Sequence, residues 1–540
     1  MIQRPEQPRR GAVLITVMIV IVVLLLIGYQ YLNLMLAENN ASIVSGRLAQ
    51  SRHLADSGVH YAAFALAFPQ TLSLSDSPDS FRPWLGSIYD NADSFHFRPI
   101  NGPNGVKGYF TIVSPRDPTD TSNTTGFRFG VEDENGKINL NAMRQLIKKD
   151  PSNKTKFETI IKAIPAISEE QALAVINWTE DGGTTDSSES SYYSDLGYQS
   201  KGGPYDSTDE LLLVKGWTPK QLYGNDKNRN GKLDADEDDG TGQVDLGMQQ
   251  YFTVYSRELN VDSTGQQRIN INNTDLATLK TQLDAAVGEE ISGYIIYSRV
   301  STIEQLPNTN PLTVAQALSQ ARYIDGVSYS EGKFTFDFNK VKSARTFQTS
   351  GAATQIRSLA SFVNMVIGFR PAATPNAPRI QINSPFQTSN KEKLRTNLTT
   401  FFDKCTLDAE YEIPARININ TCPAGVLTSL GITETIQEKI LQSRPTPDMD
   451  SSLIPYYKTP AWLITEAEMD ATIFTQFANY ITTYSQVYRF QVVGYYEMRG
   501  PQVRLEVVVD TNNGRPRILH WRDLTDLGKG YHFSQARGGQ

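Results

Sequence analysis

The longest apolar stretch of the chain runs from Ala12 to Tyr29, consists mostly of Val, Ile and Leu, and contains no charged residue. As a helix, these 18 residues would rise about 27 Å, which is close to the thickness of the hydrocarbon core of a bilayer. Arg4, Arg9 and Arg10 precede the stretch, with a single acidic residue among them. Positive charge before an apolar helix keeps that end in the cytoplasm, so we expect one membrane pass with the remaining chain outside.

Helical spacing of apolar residues continues beyond this membrane-length stretch. No proline occurs between Gln30 and Phe68, and one apolar stripe is kept at Ile43, Val44, Leu48, Ala55, Val59, Ala62, Ala63 and Leu66. Pro69 is expected to end the helix. The pattern therefore predicts one helix over residues 12–68, on the order of 85 Å long, whose second half packs on a globular head. A membrane-proximal coiled coil would show a similar pattern.

Strand patterns occur near both ends of the remaining chain. They cover residues 108–113, 127–131, 488–496, 502–510 and 515–522, with turn residues between them. The first two belong to segment 69–131, which we interpret as the first part of the head, and the others to its C-terminal strands, 486–530. If these strands share one sheet, everything between them is an insertion. The tail, 531–540, is polar and is expected to be disordered.

A five-residue pattern recurs three times within that insertion. Residues 137–141 read Lys-Ile-Asn-Leu-Asn, and residues 268–272 and 416–420 both read Arg-Ile-Asn-Ile-Asn. Alternation of aliphatic residues with Asn predicts a short strand with one buried face. The last Asn, or the residue after it, is expected to cap a following helix.

Helical patterns do follow the three copies, at residues 143–149, 276–283 and 426–430. The third continues through Gly431 into a second helix ending near Ile440, which is a helix-hairpin-helix outline. We therefore predict a helical unit over residues 132–250, an additional α/β unit over 251–410, and a helix-hairpin-helix-like unit over 411–485.

A basic leader that ends in Gly11 and leads directly into an apolar helix resembles the signal of type IV prepilins. In that family a membrane peptidase cuts after the glycine and methylates the new N-terminal residue, which would be Ala12 here. The resemblance implies a leader over residues 1–11 and an inner-membrane protein whose bulk lies in the periplasm. An uncleaved signal anchor is the alternative, because the motif is short.

Three further features resemble the K-type minor pseudopilins of type II secretion systems. The fifth residue after Gly11 is Thr16, where most pilin-like subunits have a Glu that neutralises the terminal amine of an adjacent subunit. Residues 129–141 and 204–214 also resemble this family. A buried ammonium needs a counter-charge, which Thr16 cannot supply, so such a subunit suits the end of a fibre.

The resemblance implies an α+β fold, with a long N-terminal transmembrane helix, a pilin-like antiparallel-sheet head and large inserted helical units of helix-hairpin-helix or SAM-like type. It implies a structural protein, not an enzyme, that initiates or caps the pseudopilus. Its partners would be other minor pseudopilins, the major pseudopilin, the prepilin peptidase and the inner membrane. The unit around residues 268–410 makes this chain longer than usual members, and the resemblance gives it no role.

The charge of the chain does not favour nucleic acid as a partner. The formal net charge is −7, and acidic residues surround the hairpins: Glu169, Glu170, Glu434 and Glu438. A membrane-anchored nucleic-acid-binding protein of a DNA-uptake machine, using the hairpins, is the alternative function. For an enzyme, the sequence offers no HExxH, no GxSxG and no phosphate-binding glycine loop.

Residues 226–237 match an EF-hand calcium loop. Such a loop takes side-chain oxygens at positions 1, 3, 5, 9 and 12, a glycine at position 6 and a backbone carbonyl at position 7. In chain order these positions are held by Asp226, Asn228, Asn230, Gly231, Lys232, Asp234 and Glu237. The pattern predicts bound Ca²⁺, with Glu237 bidentate. Glycine and acidic residues flank the loop where a sensor has helices, which favours a static structural site.

Two other features carry predictions of their own. Glu180, Asp181 and Asp186 leave open whether a second oxygen-rich site exists. The chain has two cysteines, Cys405 and Cys422. In an exported protein an isolated pair predicts one disulfide, worth about 3 kcal/mol if unstrained. A pair of buried free thiols is the alternative.

Overall fold

The computed structural model describes residues 10–72, 74, 85–102, 107–116, 126–301, 314–319, 321, 323–343, 355–374, 376–446, 449–496, 500–528 and 530–531. Its helices are α1 (Arg10–Ala67), α2 (Leu85–Tyr89), α3 (Ala92–Phe95), α4 (Leu140–Lys149), α5 (Asn153–Lys162), α6 (Glu169–Asn177), α7 (Ser187–Asp195), α8 (Pro219–Tyr223), α9 (Leu276–Val287), α10 (Glu289–Val300), α11 (Val314–Ser319), α12 (Phe338–Ser343), α13 (Lys391–Lys404), α14 (Ala424–Ser429), α15 (Glu434–Ser443), α16 (Trp462–Thr465) and α17 (Ala471–Phe477). Its strands are β1 (Arg98–Asn101), β2 (Lys107–Pro115), β3 (Phe127–Arg128), β4 (Glu132–Asp133), β5 (Ile138–Asn139), β6 (Phe252–Thr253), β7 (Glu258–Leu259), β8 (Ile269–Asn270), β9 (Val327–Ser330), β10 (Lys333–Phe336), β11 (Val366–Phe369), β12 (Ile380–Asn383), β13 (Cys405–Thr406), β14 (Glu412–Ile413), β15 (Ile417–Asn418), β16 (Ile481–Thr482), β17 (Val487–Tyr496), β18 (Gln502–Asp510) and β19 (Arg517–Asp523).

The N-terminal helix α1 is continuous over 58 residues. It ends at Ala67, and Pro69 begins a short 3-10 turn. Side chains from Val13 to Gln50 are exposed, and burial begins at Ser51. By length and composition the apolar part is sufficient to cross a membrane. The predicted single long helix is therefore confirmed.

Seven strands form one antiparallel sheet in the head. Five of them follow in the order β1-β2-β17-β18-β19, while β3 pairs with β2 and β4 pairs with β17. Because these strands come from both ends of the chain, the residues between β4 and β17 form an insertion, as predicted. Helix α1 packs across β2, β17 and β18 through a core that includes Val59, Phe110, Val492 and Leu505. The structure thereby confirms an α+β fold with a long N-terminal helix, an antiparallel sheet and additional helices.

Both faces of the central strands β17 and β18 are buried, whereas the edge strands β1 and β19 are partly exposed. In β18 the odd-numbered residues from Val503 to Val509 belong to the core beneath α1. The polar side chains of Arg504, Glu506 and Asp510 point the other way and contact the inserted part of the chain. Alternation in the sequence predicts the two faces, but the polar face is covered by protein and not by water.

The insertion contains three modules, and each is closed by a two-residue pair of parallel strands. The pairs are β5 with β6, β8 with β13, and β15 with β16. Each opening strand is the Ile-Asn of the repeated pattern, and each closing strand is an apolar residue followed by Thr: Phe252-Thr253, Cys405-Thr406 and Ile481-Thr482. Parallel strands require a crossover, which the helices of each module supply. The first module therefore ends at Thr253, beyond the boundary at residue 250 that the sequence predicts.

The asparagines of the repeat explain its recurrence. The first Asn of each copy accepts, on Oδ1, the backbone N–H two residues later, at 2.8, 2.8 and 3.0 Å in Asn139, Asn270 and Asn418. The second Asn donates its Nδ2 to a backbone carbonyl across the module, in the pairs Asn141–Tyr205, Asn272–Ile356 and Asn420–Tyr457. One Asn therefore shapes the turn and the other ties it to the far side of the module.

The expectation that the last Asn, or the residue after it, caps the following helix is wrong. The cap of α4 is Asn139, the first Asn of its copy, and the cap of α9 is Asp275. Pro423 precedes α14 and has no side-chain oxygen to act as a cap. A cap must accept with its side-chain oxygen, and the Oδ1 of each second Asn already accepts a distant N–H, in the pairs Asn141–Tyr205, Asn272–Ile356 and Asn420–Trp462. Helices α14 and α15 do lie on either side of Gly431, as predicted.

The predicted disulfide is not formed, because both cysteines are free thiols. Cys405 lies in β13 and pairs with Ile269 in the second module. Cys422 follows β15 in the third module, where Arg444 Nη2 lies 3.1 Å from its Sγ. Burial raises the pKa of both thiols. The alternative of two buried free thiols is the one that the structure shows.

The predicted disordered tail begins with an ordered residue. Tyr531 is 1% exposed and packs in a small aromatic cluster on the polar side of the sheet. Tyr531 therefore anchors the start of this polar segment on the head. Residues 532–540 lie outside the described residues, so the expectation for them stays a prediction.

Candidate functional site

The predicted processing position lies at the start of α1. The helix begins at Arg10 and includes Gly11 and Ala12 in its first turn. Residues 1–9 of the predicted leader lie outside the described residues. Cleavage after Gly11 and methylation of Ala12 therefore stay predictions.

The exposed part of α1 is longer than a membrane requires. From Val13 to Gln50 it extends about 57 Å, against about 30 Å for the hydrocarbon core of a bilayer. The surplus toward the head carries exposed apolar side chains, among them Ile43, Val44 and Leu48. Apolar side chains in this position are available for packing against other helices.

The candidate calcium loop turns tightly at its glycine. Gly231 has φ +75°, the left-handed conformation that loop position 6 requires. The Asp226 carboxylate accepts backbone N–H bonds from Asn230, at 3.0 Å, and from Gly231, at 2.8 Å. These bonds hold the carboxylate of position 1 above the turn.

The side chains at positions 3, 5, 9 and 12 converge on one another. The Nδ2 atoms of Asn228 and Asn230 lie 2.6 and 2.9 Å from Asp234 Oδ2. Glu237 accepts backbone N–H bonds from Asn228 on Oε1, at 3.1 Å, and from Asp234 on Oε2, at 3.2 Å. These contacts are hydrogen bonds from nitrogen to carboxylate oxygen, and they gather the side chains of positions 3, 5 and 9 at one point of the loop, beside the carboxylate of position 12.

The electrostatics of the loop favour a cation. Burial, together with the nearby Glu237 carboxylate, raises the pKa of Asp226 to about 6. Asn228 Oδ1 is buried and has no hydrogen-bond partner. A buried acceptor without a donor, beside two carboxylates that repel each other, is satisfied by a hard cation. The residues present therefore fit Ca²⁺.

Position 7 is held by Lys232. Its N–H donates to Asn230 Oδ1 at 2.7 Å, and its ammonium lies 5.1 Å from the centre of the Phe127 ring. Among the described residues, no group of three or more His, Cys, Asp and Glu side chains is arranged to hold a metal ion. A calcium site here would depend on the two Asn amides and the backbone carbonyl of position 7 in addition to the three carboxylates.

Residues that hold the loop on the sheet were not found from the sequence. Gln491 of β17 donates its Nε2 to Arg229 O at 2.7 Å, and Arg504 of β18 donates its Nη2 to Asn228 O. Both side chains lie on the polar face of the sheet. An Arg and a Gln within strands that are otherwise strongly apolar are the signal that could have indicated a second buried face.

The acids proposed for a second oxygen-rich site have other partners. Glu180 pairs with Lys154, and Asp181 pairs with Arg144 at 2.5 Å. Asp186 caps α7 by accepting the backbone N–H groups of its first turn. The first two acids are already neutralised by the protein's own cations, and the structure does not bring the three together as a ligand set.

No family model matches the chain, and no curated protein matches it. Among solved structures, the chain is similar to one in the crystal structure of the GspK-GspI-GspJ complex from the enterotoxigenic Escherichia coli type 2 secretion system. The match covers 89% of this chain and 99% of that chain, with 10% sequence identity and a TM-score of 0.35. At this level the likeness concerns the arrangement of the fold and assigns no function.

Proposed function

We propose that the protein is a minor pseudopilin that initiates or caps the pseudopilus of a type II secretion system, as a structural and interaction protein and not an enzyme. The observation that carries this proposal is the division of α1 into two parts. The part from Val13 to Gln50 is exposed and apolar at its N-terminal end, and the part from Ser51 onward belongs to the core of the head. The exposed part can therefore move from the membrane into a fibre without any change in the head.

Assembly by such a helix depends on its apolar surface. In the membrane that surface faces lipid, and in a fibre it would face the helices of other subunits, so one apolar environment replaces another. Gly28 and Gly46 have open space beside them in α1, which lets a second helix approach closely. The partners in this role are other minor pseudopilins and the major pseudopilin. The prepilin peptidase acts earlier, on the precursor in the inner membrane.

A position at the end of the fibre follows from Thr16. A charged terminal amine buried in a fibre needs a carboxylate from a neighbouring subunit. Thr16 stands where that carboxylate would be and carries no charge. A subunit with this residue is best placed where it has no amine to neutralise.

We also propose that the loop 226–237 holds a structural Ca²⁺. Asp226, Asn228, Asn230, Asp234 and Glu237 would hold it with their side-chain oxygens and Lys232 with its carbonyl. The ion would supply the positive charge that neutralises the three carboxylates. The residues of the loop would then stay in the arrangement in which Gln491 and Arg504 dock them on the sheet.

Processing of the N-terminus tests the pseudopilin role. Coexpression with a prepilin peptidase should give a membrane-extracted chain that begins at Ala12. Gly11→Val should block cleavage, because the peptidase requires the glycine. Gly28→Val is the matched control, since it makes the same change at an open position of the same helix. A wild-type chain that still begins at Met1 beside an active peptidase would overturn the proposal.

A further inference from the structure

The calcium loop and the last described residues of the chain hold each other on the head. Asn230 Nδ2 donates to Gly530 O at 2.7 Å. The Tyr531 hydroxyl donates to Gln491 Oε1 at 3.2 Å, and Gln491 Nε2 donates to Arg229 O at 2.7 Å. These contacts close a ring that runs from the loop through Gln491, Tyr531 and Gly530 back to the loop.

The C-terminal segment fits tightly on the head at position 530, where a side chain would displace Arg504. Gly530 has φ +66°, and a Cβ there would lie 1.6 Å from Arg504 Nη1. Arg504 is fully buried and donates its Nη2 to Asn228 O. The segment therefore lies directly on the arginine that holds loop position 3. A shift of the loop backbone disturbs this arginine and the segment together.

The segment also covers an apolar surface. The Tyr531 ring meets the Phe127 ring edge-on, with 5.1 Å between centroids, and shares a buried cluster with Val493 and Tyr495. Lys232, at loop position 7, places its ammonium over the same Phe127 ring. Release of Tyr531 would expose these apolar side chains to water, which is unfavourable.

We propose that calcium binding by the loop and the seating of Gly530 and Tyr531 on the head are one coupled event. The inference rests on the calcium role proposed above. Asn230 is the link, because its Nδ2 donates both to Asp234 Oδ2 at loop position 9, at 2.9 Å, and to Gly530 O, at 2.7 Å. Loss of the cation leaves the loop carboxylates to repel each other, and the movement that follows disturbs both contacts of Asn230. Calcium thus determines whether the C-terminal segment stays on the head.

Coupling of this kind is reciprocal. If calcium favours the seated segment, the seated segment must raise the affinity for calcium by the same factor, which is typically about 5-fold to 150-fold. Changes in Gly530 or Tyr531 should therefore weaken calcium binding, although neither residue is a proposed ligand. A segment that only packs nearby would not have this effect.

The first test is calorimetric titration of the full-length protein in detergent with calcium chloride. Gly530→Ala would displace Arg504 and Tyr531→Ala loses both the ring and the hydroxyl, so each should lower the calcium affinity at least about fivefold. Tyr531→Phe keeps the ring and should lose less. Tyr323→Ala, at a half-exposed tyrosine of the second module, is the matched control and should bind calcium like the wild type.

The second test needs no variant and so does not depend on their folding. Hydrogen exchange of wild-type peptides that contain residues 530–531 should be slow with calcium and at least about fivefold faster with a chelator. Equal exchange in both, or unchanged calcium affinity in both the Gly530 and Tyr531 variants, overturns the coupling and leaves the calcium role in place. A wild-type chain that binds no calcium overturns both.

Discussion

A Cβ added to Gly494 in β17 would lie 2.3 Å from the backbone oxygen of Ser51 in α1. Ser51 is where burial of the helix begins, so helix and sheet touch backbone to backbone at the point where α1 leaves the head. Position 494 is therefore a glycine because there is no space for a side chain. It also fixes the direction in which the exposed part of the helix projects.

Gly494→Ala should therefore lower the melting temperature of the full-length protein in detergent. The methyl group has no space unless α1 moves off the sheet, and overpacking of this kind typically costs about 1–3 kcal/mol. Gly46→Ala is the control. Gly46 lies in α1, the helix that Gly494 contacts, and a Cβ there would have nothing within 4 Å. It should leave the melting temperature unchanged or raise it, because Ala favours a helix more than Gly. If both variants melt like the wild type, the close contact has no structural role.

The long elements of the fold could be predicted because their signal is local. The absence of proline over α1 and the alternation in β17 and β18 are read directly from neighbouring residues. The closing strands of the modules could not be predicted in this way. Phe252-Thr253 is a pair of residues inside a longer stretch, 251–256, whose composition predicts a full strand. Its pairing with Ile138-Asn139 depends on a partner far away in the chain.

In the candidate site, too, the local features could be predicted and the distant partners could not. The spacing of residues 226–237 predicts the turn at Gly231 and the converging side chains, since an EF-hand loop is a local motif. The residues that dock it, Gln491, Arg504 and Tyr531, come from the opposite end of the chain. The disulfide prediction was wrong for a similar reason. Whether two thiols lie within bonding distance depends on the modules that carry them, and the sequence around each cysteine does not show this.

Acid should destabilise the protein through Glu134. Its carboxylate is fully buried, which raises its pKa, but the charges of Arg489 and Lys137 and the hydrogen bonds from Arg489 and Thr253 outweigh burial and lower the pKa to about 2. A lowered pKa means that the charged form stabilises the fold above the ordinary value of 4.5, and that this contribution is lost as the pH falls toward 2. Melting temperatures measured between neutral pH and about pH 2 should fall over this window.

Glu134→Gln should reduce that pH dependence and melt lower at neutral pH, because Arg489 then keeps Glu506 but loses its contact with the Glu134 carboxylate. Asp133 acts in the opposite sense, since burial raises its pKa. The comparison must therefore be the difference between variant and wild type. Glu169→Gln, in an exposed pair with Lys162, is the control and should change little. Parallel curves for wild type and Glu134→Gln would show that the buried pairing does not govern acid stability.

Glu258 should stabilise both the second and the third module. It is buried, accepts hydrogen bonds from Arg416, and lies 3.9 Å from Arg268 Nη1. These two arginines are the first residues of the second and third repeats. Glu258→Gln takes the carboxylate partner away from the partly buried guanidinium of Arg416 and should destabilise the protein by about 1.5–3 kcal/mol. Chemical unfolding measures this, and Glu289→Gln, in an exposed pair with Lys333, should have little effect.

Thr16 predicts where the protein lies in an assembled fibre. Because it carries no charge, immunogold labelling of isolated pseudopili should find the protein at one end. Thr16→Glu should assemble as well, since the end position does not require the threonine itself. Labels spaced regularly along the shaft would exclude the end position, while leaving the processing of the N-terminus unaffected.

Calcium should stabilise the full-length protein against heat. At a calcium concentration a hundredfold above the Kd, binding to the folded state alone contributes about 2.7 kcal/mol, so the melting temperature should be higher with calcium than with a chelator. Magnesium should have a smaller effect, because it retains its water and fits a large, flexible oxygen site poorly. Glu237→Gln should remove most of the calcium effect, since it weakens the bidentate contact. Asp236→Asn removes the same charge from the exposed neighbouring residue and should retain the calcium effect. Equal melting of the wild type with calcium and with chelator would show that the loop 226–237 holds no structural ion.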